Sequence, residues 1–411
     1  MKLTRRELIK TGAVAATAYF LPRRLFAAPV TEKVLVAIFL RGGADPLSLV
    51  VPAFDPTYYT VRPDIAVAAG TELQLNGGDT HGFGLFPLCT GMKQMYDAGE
   101  LLAIHLAGST DPSRSHFDAQ DYMEKAAPGN KSITDGWLNR YLSAINNADP
   151  VAGLSIADAP QLALRGSAPN VAFSAIDSFL VEGDFAAARR AALQGYYAGA
   201  SDTLGAGVNA ALSAVDVIQS VNQATGVVYP NNKLAHALKD VAAIIRAEVG
   251  VKVVAVDLGG WDHHTNLSTQ LGLVGGEDGD GKAVELNGAL KAFRDDLAGS
   301  GDLGRTLTLC MTEFGRRVAQ NGGAGADHGH GGAMFALGGG IAGGRLILKN
   351  DNWPGLTPDK LSQGEDLQVT TDFRDVLAEA LFAHLGMSLG AMAPVFPNFS
   401  IKQSNFPGLY A

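Results

Sequence analysis

Four polar segments of this 411-residue chain combine carboxylates with histidines or arginines. They are Arg41–Asp45, Gly108–His116, Gly259–His264 and Thr312–His330, and they contain five of the nine histidines of the chain. Carboxylates and imidazoles are the side chains that hold zinc, manganese and iron in proteins. Each segment alone has a simpler interpretation, because Asp45 could close a turn and Asp262 could cap a helix. The recurrence of the same chemistry in all four segments favours a metal site.

Each polar segment directly follows an apolar run that predicts a buried β-strand. The runs are Val34–Leu40, Leu101–Ala107, Val253–Leu258 and Thr306–Met311. They do not alternate with polar residues, a pattern typical of a parallel sheet that is covered on both faces. Helical patterns lie between them, which indicates an α/β layered domain. Because the carboxyl ends of parallel strands meet at one edge of a sheet, we expect the four segments to form one site.

The segment Gly108–His116 also holds a candidate nucleophile. Ser115 begins a helical pattern that runs to Lys125, so its hydroxyl would lie near unpaired N–H groups that favour phosphate or sulfate. Arg114 beside it could bind the same anion through two guanidinium nitrogens. Ser113 or Ser115 could also be the N-cap of this helix, and one serine can fill both roles.

Composition and motifs exclude several classes of protein. The whole chain has a net charge of −9, and residues 1–28 hold six basic and one acidic residue, so the remainder carries −14. Such an acidic domain is a poor electrostatic match for nucleic acid. The sequence has no P-loop, dinucleotide-binding or α/β-hydrolase motif. Its two cysteines, Cys89 and Cys310, are expected to remain unpaired.

The first 28 residues predict a twin-arginine signal peptide. Arg5 and Arg6 precede an apolar stretch, Thr11–Leu21, that is too short to span a bilayer as a helix, and Phe26–Pro29 offers small residues for cleavage. The alternative is a basic N-terminal segment that is not cleaved and remains attached as an anchor or tail. We expect a periplasmic or secreted protein that meets the twin-arginine translocation machinery during export and has no transmembrane segment after cleavage.

Residues 29–411 are expected to form a single domain that carries an insertion. Residues 150–232 are rich in Ala, Ser and Gly, contain no histidine, and have helical patterns at Phe185–Tyr197 and Ala206–Gln223. We interpret them as a helical insertion or cap on the core sheet, with an active-site lid as the alternative.

Five motifs occur in the order found in the DUF1501 family, and the chain resembles that family of exported, mostly uncharacterised bacterial proteins. They are Leu40–Asp45, Arg114–Gln120, Gly259–His264, Thr312–Arg316 and Asp327–Gly331, and the resemblance runs from about Val34 to Phe399. The family is similar to the alkaline-phosphatase-like superfamily of phosphatases, sulfatases and phosphomutases. The resemblance implies a three-layer α/β/α sandwich with a mostly parallel central sheet. It also implies one or two divalent ions, zinc, manganese or calcium, at the carboxyl edge of that sheet.

The resemblance further implies roles for individual residues. Ser115 would be the nucleophile, with Arg114 and His116 beside it in the catalytic site. Metal ligands and their supporting groups would come from Asp45, Asp262, His264, Glu313, Asp327, His328 and His330. The implied function is an exported metal-dependent hydrolase of phosphate or sulfate esters that acts on a small anionic ester.

Two departures from the superfamily pattern leave alternatives open. Phe314 stands where the superfamily has a histidine ligand, which puts a second metal site in doubt. It favours the alternative of a non-catalytic envelope or export-associated protein with a degenerate metal site. Thr110 occupies the position of the residue that sulfatases convert to formylglycine, a conversion that threonine cannot undergo. Thr110 and Ser113 therefore remain rival nucleophiles to Ser115.

Overall fold

The computed structural model of the protein describes residues 32–76, 80–180, 185–198, 203–272 and 281–410. The expected signal peptide, residues 1–28, lies outside these ranges. Within them, no helix combines the length and the apolar character that a membrane crossing requires.

The described residues contain twelve β-strands and eleven α-helices. The strands are β1 (Val34–Leu40), β2 (Val50–Val51), β3 (Leu73–Gln74), β4 (Gly84–Leu85), β5 (Leu101–Gly108), β6 (Gly153–Ile156), β7 (Val171–Phe173), β8 (Val253–Leu258), β9 (Thr306–Met311), β10 (Gly332–Gly338), β11 (Leu346–Ile347) and β12 (Thr371–Asp372). The α-helices are α1 (Pro46–Leu49), α2 (Pro56–Val61), α3 (Thr90–Asp97), α4 (His116–Glu124), α5 (Trp137–Ala144), α6 (Ala186–Tyr197), α7 (Thr203–Gln219), α8 (Lys233–Arg246), α9 (Leu267–Gly272), α10 (Lys282–Ser300) and α11 (Phe373–Glu379).

Nine strands form the central sheet, in the order β11-β5-β10-β9-β1-β8-β6-β7, with β12 paired to β5. β1 runs parallel to β8 and β9. β10 runs antiparallel to both β5 and β9, so those two strands share one direction with β1. The reversal at β10 arises because the preceding loop folds back on itself, with Gly315 N–H donating to the carbonyl of His330. The expected α/β fold with a mostly parallel sheet is confirmed.

Helices cover both faces of the sheet, which gives the three expected layers. Alternate residues of β1 belong to two separate apolar clusters, with Val36 and Ile38 in one and Leu35 and Phe39 in the other. The first cluster includes buried residues of α3, α8 and α10, and the second includes those of α5 and α11. A strand with apolar residues on both faces must be buried between two layers, which explains its unbroken apolar sequence.

Residues 150–232, which the sequence predicts as a helical insertion or cap, contain strands as well as helices. They supply β6 and β7, the two strands at one end of the central sheet, as well as α6 and α7. These strands are only four and three residues long and lie among Ala, Gly and Ser, so they leave little periodic signal. The helices pack on one another through Leu193 and Leu212, which form a small apolar cluster of their own.

The register of the sheet places the four polar segments at one edge. Leu40 pairs with Leu258, and Phe39 pairs with Met311, so β1, β8 and β9 end almost level with each other. β5 ends beside them through its pairing with β10. The chain therefore leaves all four strands at the same edge, which we call the carboxyl edge.

Candidate metal centre

Three imidazoles and one carboxylate meet at the carboxyl edge. The Nε2 atom of His328 lies 2.9 Å from the Nε2 atoms of both His116 and His264. The Oδ1 atom of Asp262 lies 3.3 Å from His116 Nε2, 3.0 Å from His264 Nε2 and 3.2 Å from His328 Nε2. We call His116, Asp262, His264 and His328 the imidazole cluster. Its members come from three of the four polar segments, over more than 200 residues of sequence.

Each imidazole of the cluster has an oxygen atom against its other ring nitrogen. The Nδ1 contacts are His116 with Glu313 at 2.8 Å, His264 with Asp327 at 2.9 Å, and His328 with the carbonyl of Arg114 at 2.8 Å. An ionised carboxylate and a carbonyl only accept hydrogen bonds, so each Nδ1 carries the ring proton. When the rings are neutral, the lone pairs of their Nε2 atoms point toward one another and toward Asp262. This is the arrangement in which oxygen acceptors orient metal-binding histidines.

Glu313 orients His116 from inside the protein. Its carboxylate is buried, and Oε1 accepts hydrogen bonds at 2.8 Å from Gly42 N–H, Gln120 Nε2 and His116 Nδ1. Desolvation by burial acts to raise its pKa, but the hydrogen bonds from His116 and Gln120 prevail and lower the pKa of Glu313 below its ordinary value. The structure thus places Glu313 behind the cluster as an ionised acceptor.

The guanidinium of Arg316 ties three of the polar segments together. Arg316 is fully buried and donates to the backbone carbonyls of Gly42, Gly43, Trp261 and Ala326. It also donates from Nη2 to Oδ1 of Asp262 at 2.7 Å. Desolvation acts to raise the pKa of Asp262, but the hydrogen bond and charge of Arg316 outweigh it and hold that pKa well below its usual range. Asp262 therefore enters the cluster as an anion.

Glycines let these segments approach each other at the backbone. Gly42 has φ +119°, and a Cβ there would lie 2.7 Å from the backbone nitrogen of Asp262. A Cβ on Gly325 would lie 2.2 Å from the carbonyl carbon of His264. Real side chains do not tolerate such distances, so the glycine content of the loops allows backbone-to-backbone packing that positions the cluster.

Asp45 lies apart from the cluster, although the sequence predicts it as a metal ligand. It is fully buried, and its two carboxylate oxygens accept from the Nη1 and Nη2 atoms of Arg62 at 2.6 and 2.9 Å. Ser48 Oγ donates to it as well, at 2.5 Å. Desolvation by burial acts to raise the pKa of Asp45, but the charge of Arg62 dominates and lowers it. Both oxygens are thus occupied by an internal cation.

The three residues predicted as catalytic are consecutive in sequence, and one of them belongs to the imidazole cluster. Ser115 Oγ accepts from Asp118 N–H at 3.5 Å, so Ser115 is the N-cap of α4. Arg114 contacts His328 through its carbonyl, while its guanidinium pairs with the buried carboxylate of Asp366. His116 belongs to the imidazole cluster itself, where it has the geometry of a ligand.

The remaining predicted ligands surround the cluster without entering it. Asp327 is the acceptor on His264, and Asn321 Nδ2 donates to the same Asp327 oxygen at 2.9 Å. His330 turns away, with Nε2 at 2.9 Å from the carbonyl of Ser109. His263 is buried next to the ring of Trp261.

Sequence reasoning missed Arg316 and Gln120, for different reasons. Gln120 had a usable signal, because it lies four residues after His116 in a predicted helix and so shares its face. Arg316 had none, because its role depends on carbonyl groups from three separate loops.

Three quarters of the chain, residues 76–383, match the sequence profile described as protein of unknown function, DUF1501. The chain belongs to the DUF1501 family. Comparison with curated proteins gives no match.

Solved structures with some likeness to this DUF1501 protein come from several hydrolases and a synthase. A sulfatase from Pseudoalteromonas sp. is 12% identical, with a TM-score of 0.36 over 92% of this chain and 72% of its own. A phosphonate monoester hydrolase from Silicibacter pomeroyi is 10% identical, with a TM-score of 0.37 over 92% and 77%. The lipoteichoic acid synthase from Listeria monocytogenes is 9% identical, with a TM-score of 0.33 over 84% and 74%. Because these TM-scores are low, the chemistry of the site rests on its own contacts.

Replacing Asp45 by Asn tests whether it stabilises the fold rather than binding metal. The change leaves Arg62 buried without its counter-charge, so we expect urea denaturation to show a loss of about 3–5 kcal/mol in the free energy of unfolding. The metal content of the folded fraction should not change. The double variant Asp45→Leu with Arg62→Met should recover part of the loss, since it removes both charges. A fall in metal content with unchanged stability would contradict this role.

Proposed function

We propose that the protein is a metal-dependent hydrolase of phosphate or sulfate esters. The observation that carries the proposal is the convergence of three imidazole Nε2 atoms on the Asp262 carboxylate. With every Nδ1 proton directed to an oxygen, five contacts of 2.9–3.3 Å join these four atoms, and each contact involves His328 Nε2 or Asp262 Oδ1. The ligand atoms of His116, Asp262 and His328 all lie within 4.8 Å of one another. Lone pairs at such distances repel unless a cation or protons lie between them. A divalent cation fits this donor set directly.

The donor set favours zinc over calcium. Imidazole nitrogens suit zinc and other transition ions, whereas calcium takes oxygen ligands almost exclusively. His116, His264, His328 and Asp262 would hold one ion, and Glu313, Asp327 and the Arg114 carbonyl would orient the rings. A second ion finds no obvious ligands in the described part of this edge, because the Asp45 oxygens face Arg62 and Glu313 Oε1 already accepts from three donors.

The cluster is accessible to an ester. The side chains of Asp262 and His264 are 47% and 42% exposed, so the site opens to solvent. A bound divalent ion would supply Lewis acidity toward the ester oxygens and the attacking hydroxyl. In the proposed hydrolysis, the Ser115 Oγ attacks phosphorus or sulfur, the ester bond to the leaving oxygen breaks, and the alcohol leaves with the serine proton. Water then cleaves the serine ester, which releases phosphate or sulfate and restores the hydroxyl.

Ser115 is the proposed nucleophile. It lies between Arg114, whose carbonyl contacts His328, and His116, whose ring belongs to the cluster. Its capping hydrogen bond of 3.5 Å is long, so the hydroxyl can turn toward a substrate at little cost. The exposed ring of Phe117 offers an apolar surface for the organic part of the ester.

The export proposal rests on residues 1–28. We infer that the twin-arginine pathway delivers the folded, metal-loaded protein to the periplasm or beyond, with small anionic esters as its substrates.

Metal content and turnover measured together test the proposed function. Protein purified after export should contain one divalent ion per chain and hydrolyse an aryl phosphate or an aryl sulfate. His328→Ala removes a ligand, so metal affinity should fall by about 10–100-fold or more, together with turnover. His330→Ala is the matched control, because His330 lies two residues away and contacts the Ser109 carbonyl instead. A metal-loaded protein that turns over neither ester would favour the non-catalytic alternative.

Ser115→Ala tests the nucleophile. The loss of the attacking oxygen should lower turnover by about three orders of magnitude or more, while the loss of the cap should cost only about 1 kcal/mol of stability. Ser113→Ala and Thr110→Val serve as controls from the same loop. Retained turnover in Ser115→Ala would mean direct attack by water, and abolished turnover in Thr110→Val would move the assignment to Thr110.

Replacing Arg5 and Arg6 by Lys tests export. The twin-arginine receptor reads the guanidinium pair, so immunoblots of cell fractions should show uncleaved precursor in the cytoplasm. A Lys2→Arg variant serves as a control at a position outside the pair. Normal periplasmic accumulation of the double variant would defeat the export proposal.

A further inference from the structure

Every arginine in the four loops that contain the polar segments is paired with a carboxylate. Within residues 41–45, 109–116, 259–266 and 312–330, all of which the structure describes, the sequence has four arginines. Their partners are Asp257 and Glu124 for Arg41, Asp366 for Arg114, Asp262 for Arg316, and Glu365 for Arg317. An incoming anion therefore meets no arginine in these loops that lacks a counter-charge.

The net charge around the site determines how strongly an anion of a given charge is repelled. The same four loops contain five carboxylates, Asp45, Asp111, Asp262, Glu313 and Asp327, against the four arginines. With neutral histidines the loops carry a net charge of −1. The four carboxylates outside the loops that pair with the arginines (Glu124, Asp257, Asp366 and Glu365) add −4 and Arg62 beside Asp45 adds +1, so the net charge is −4, and one divalent ion changes it to −2. The surroundings of the ion are therefore anionic overall, so a group of charge −2 is repelled more strongly than a group of charge −1.

We propose that the site selects esters whose reacting group is a monoanion over phosphate monoesters, which are dianions at neutral pH. A sulfate monoester and a phosphate diester share the required chemistry, since each carries one negative charge. A phosphate monoester loses its second proton near pH 6, so its reacting group carries almost two charges above pH 7. This inference rests on the proposed function, because it specifies the substrate of the same site.

The pairing of Arg114 is central to this selectivity. Arg114 precedes the proposed nucleophile, where a free guanidinium would compensate a second negative charge. Instead, its Nε and Nη2 atoms both donate to Oδ2 of Asp366, which is 2% exposed. Glu365 lies 3.8 Å from the same Nη2 atom. These two carboxylates lower the positive potential around the Arg114 guanidinium.

Three esters with the same leaving group test the preference directly. The zinc-loaded mature protein is assayed at pH 8 with 4-nitrophenyl sulfate, bis(4-nitrophenyl) phosphate and 4-nitrophenyl phosphate, and each kcat/KM is divided by the uncatalysed rate of that ester. We expect at least one monoanionic ester to exceed the monoester by about tenfold or more, the order of effect of one unit charge near a protein surface. The sulfate and diester arms show which monoanion is preferred. A monoester that is accelerated more than both would overturn the proposal.

Charge variants at the Arg114 pair supply the matched control. Glu365→Gln and Asp366→Asn each remove a competing negative charge, so the ratio of monoester to monoanion kcat/KM should rise by about tenfold. Asp97→Asn makes the same charge change at the end of α3, just before β5 begins and so at the opposite edge of the sheet, and should leave the ratio unchanged. Glu365 is partly exposed, so Glu365→Gln decides the question if Asp366→Asn fails to fold. An unchanged ratio in Glu365→Gln would contradict the inference.

A binding measurement separates this inference from the proposed function. If none of the three esters is turned over, the proposed hydrolase function fails, but calorimetry with dimethyl phosphate and methyl phosphate at pH 8 still measures the charge preference. Tighter binding of the monoanionic dimethyl phosphate supports the inference, and tighter binding of methyl phosphate overturns it.

Discussion

The buried guanidinium of Arg316 is the interaction on which the geometry of the site depends. It donates to carbonyls in the loops after β1, β8 and β9 and to the carboxylate of Asp262. Four backbone carbonyls and one carboxylate satisfy a charge that would otherwise be costly to bury. Because the sheet brings only the strand ends together, this guanidinium and the close glycine contacts are what fix the loops beyond them. The imidazole cluster forms where those fixed loops meet.

The elements of the fold were predictable because their sequence patterns are local. Val34–Leu40, Val253–Leu258 and Thr306–Met311 are strands with the predicted bounds, since an unbroken apolar run has few other uses than a strand covered on both faces. The antiparallel direction of β10 was not predictable, because it depends on how the preceding loop folds back. β6 and β7 were not predicted, because strands of three or four residues are too short to show a hydrophobic periodicity.

The location of the site at the carboxyl edge was predictable from the sequence, but the role of each residue in it was not. Strand polarity alone brings His264 and His328 to one edge, and both belong to the cluster. The role of His116 depends on the direction of its ring, which Glu313 sets from a distance of 197 residues in sequence. The pairing of Asp45 with Arg62 was hidden, because no sequence pattern shows that a buried carboxylate has an arginine as its counter-charge. Side-chain partners that come from distant loops are the part of the site that only the fold determines.

We predict a cation at one particular position, and anomalous diffraction tests this prediction directly. Data collected above and below the zinc absorption edge, from crystals of protein exported in its native host, locate the ion without reference to activity. We expect a single anomalous peak at about 2.0–2.2 Å from the Nε2 atoms of His116, His264 and His328 and from the carboxylate of Asp262. A peak beside Asp45, or no peak between the three imidazoles in protein that hydrolyses esters, would contradict it.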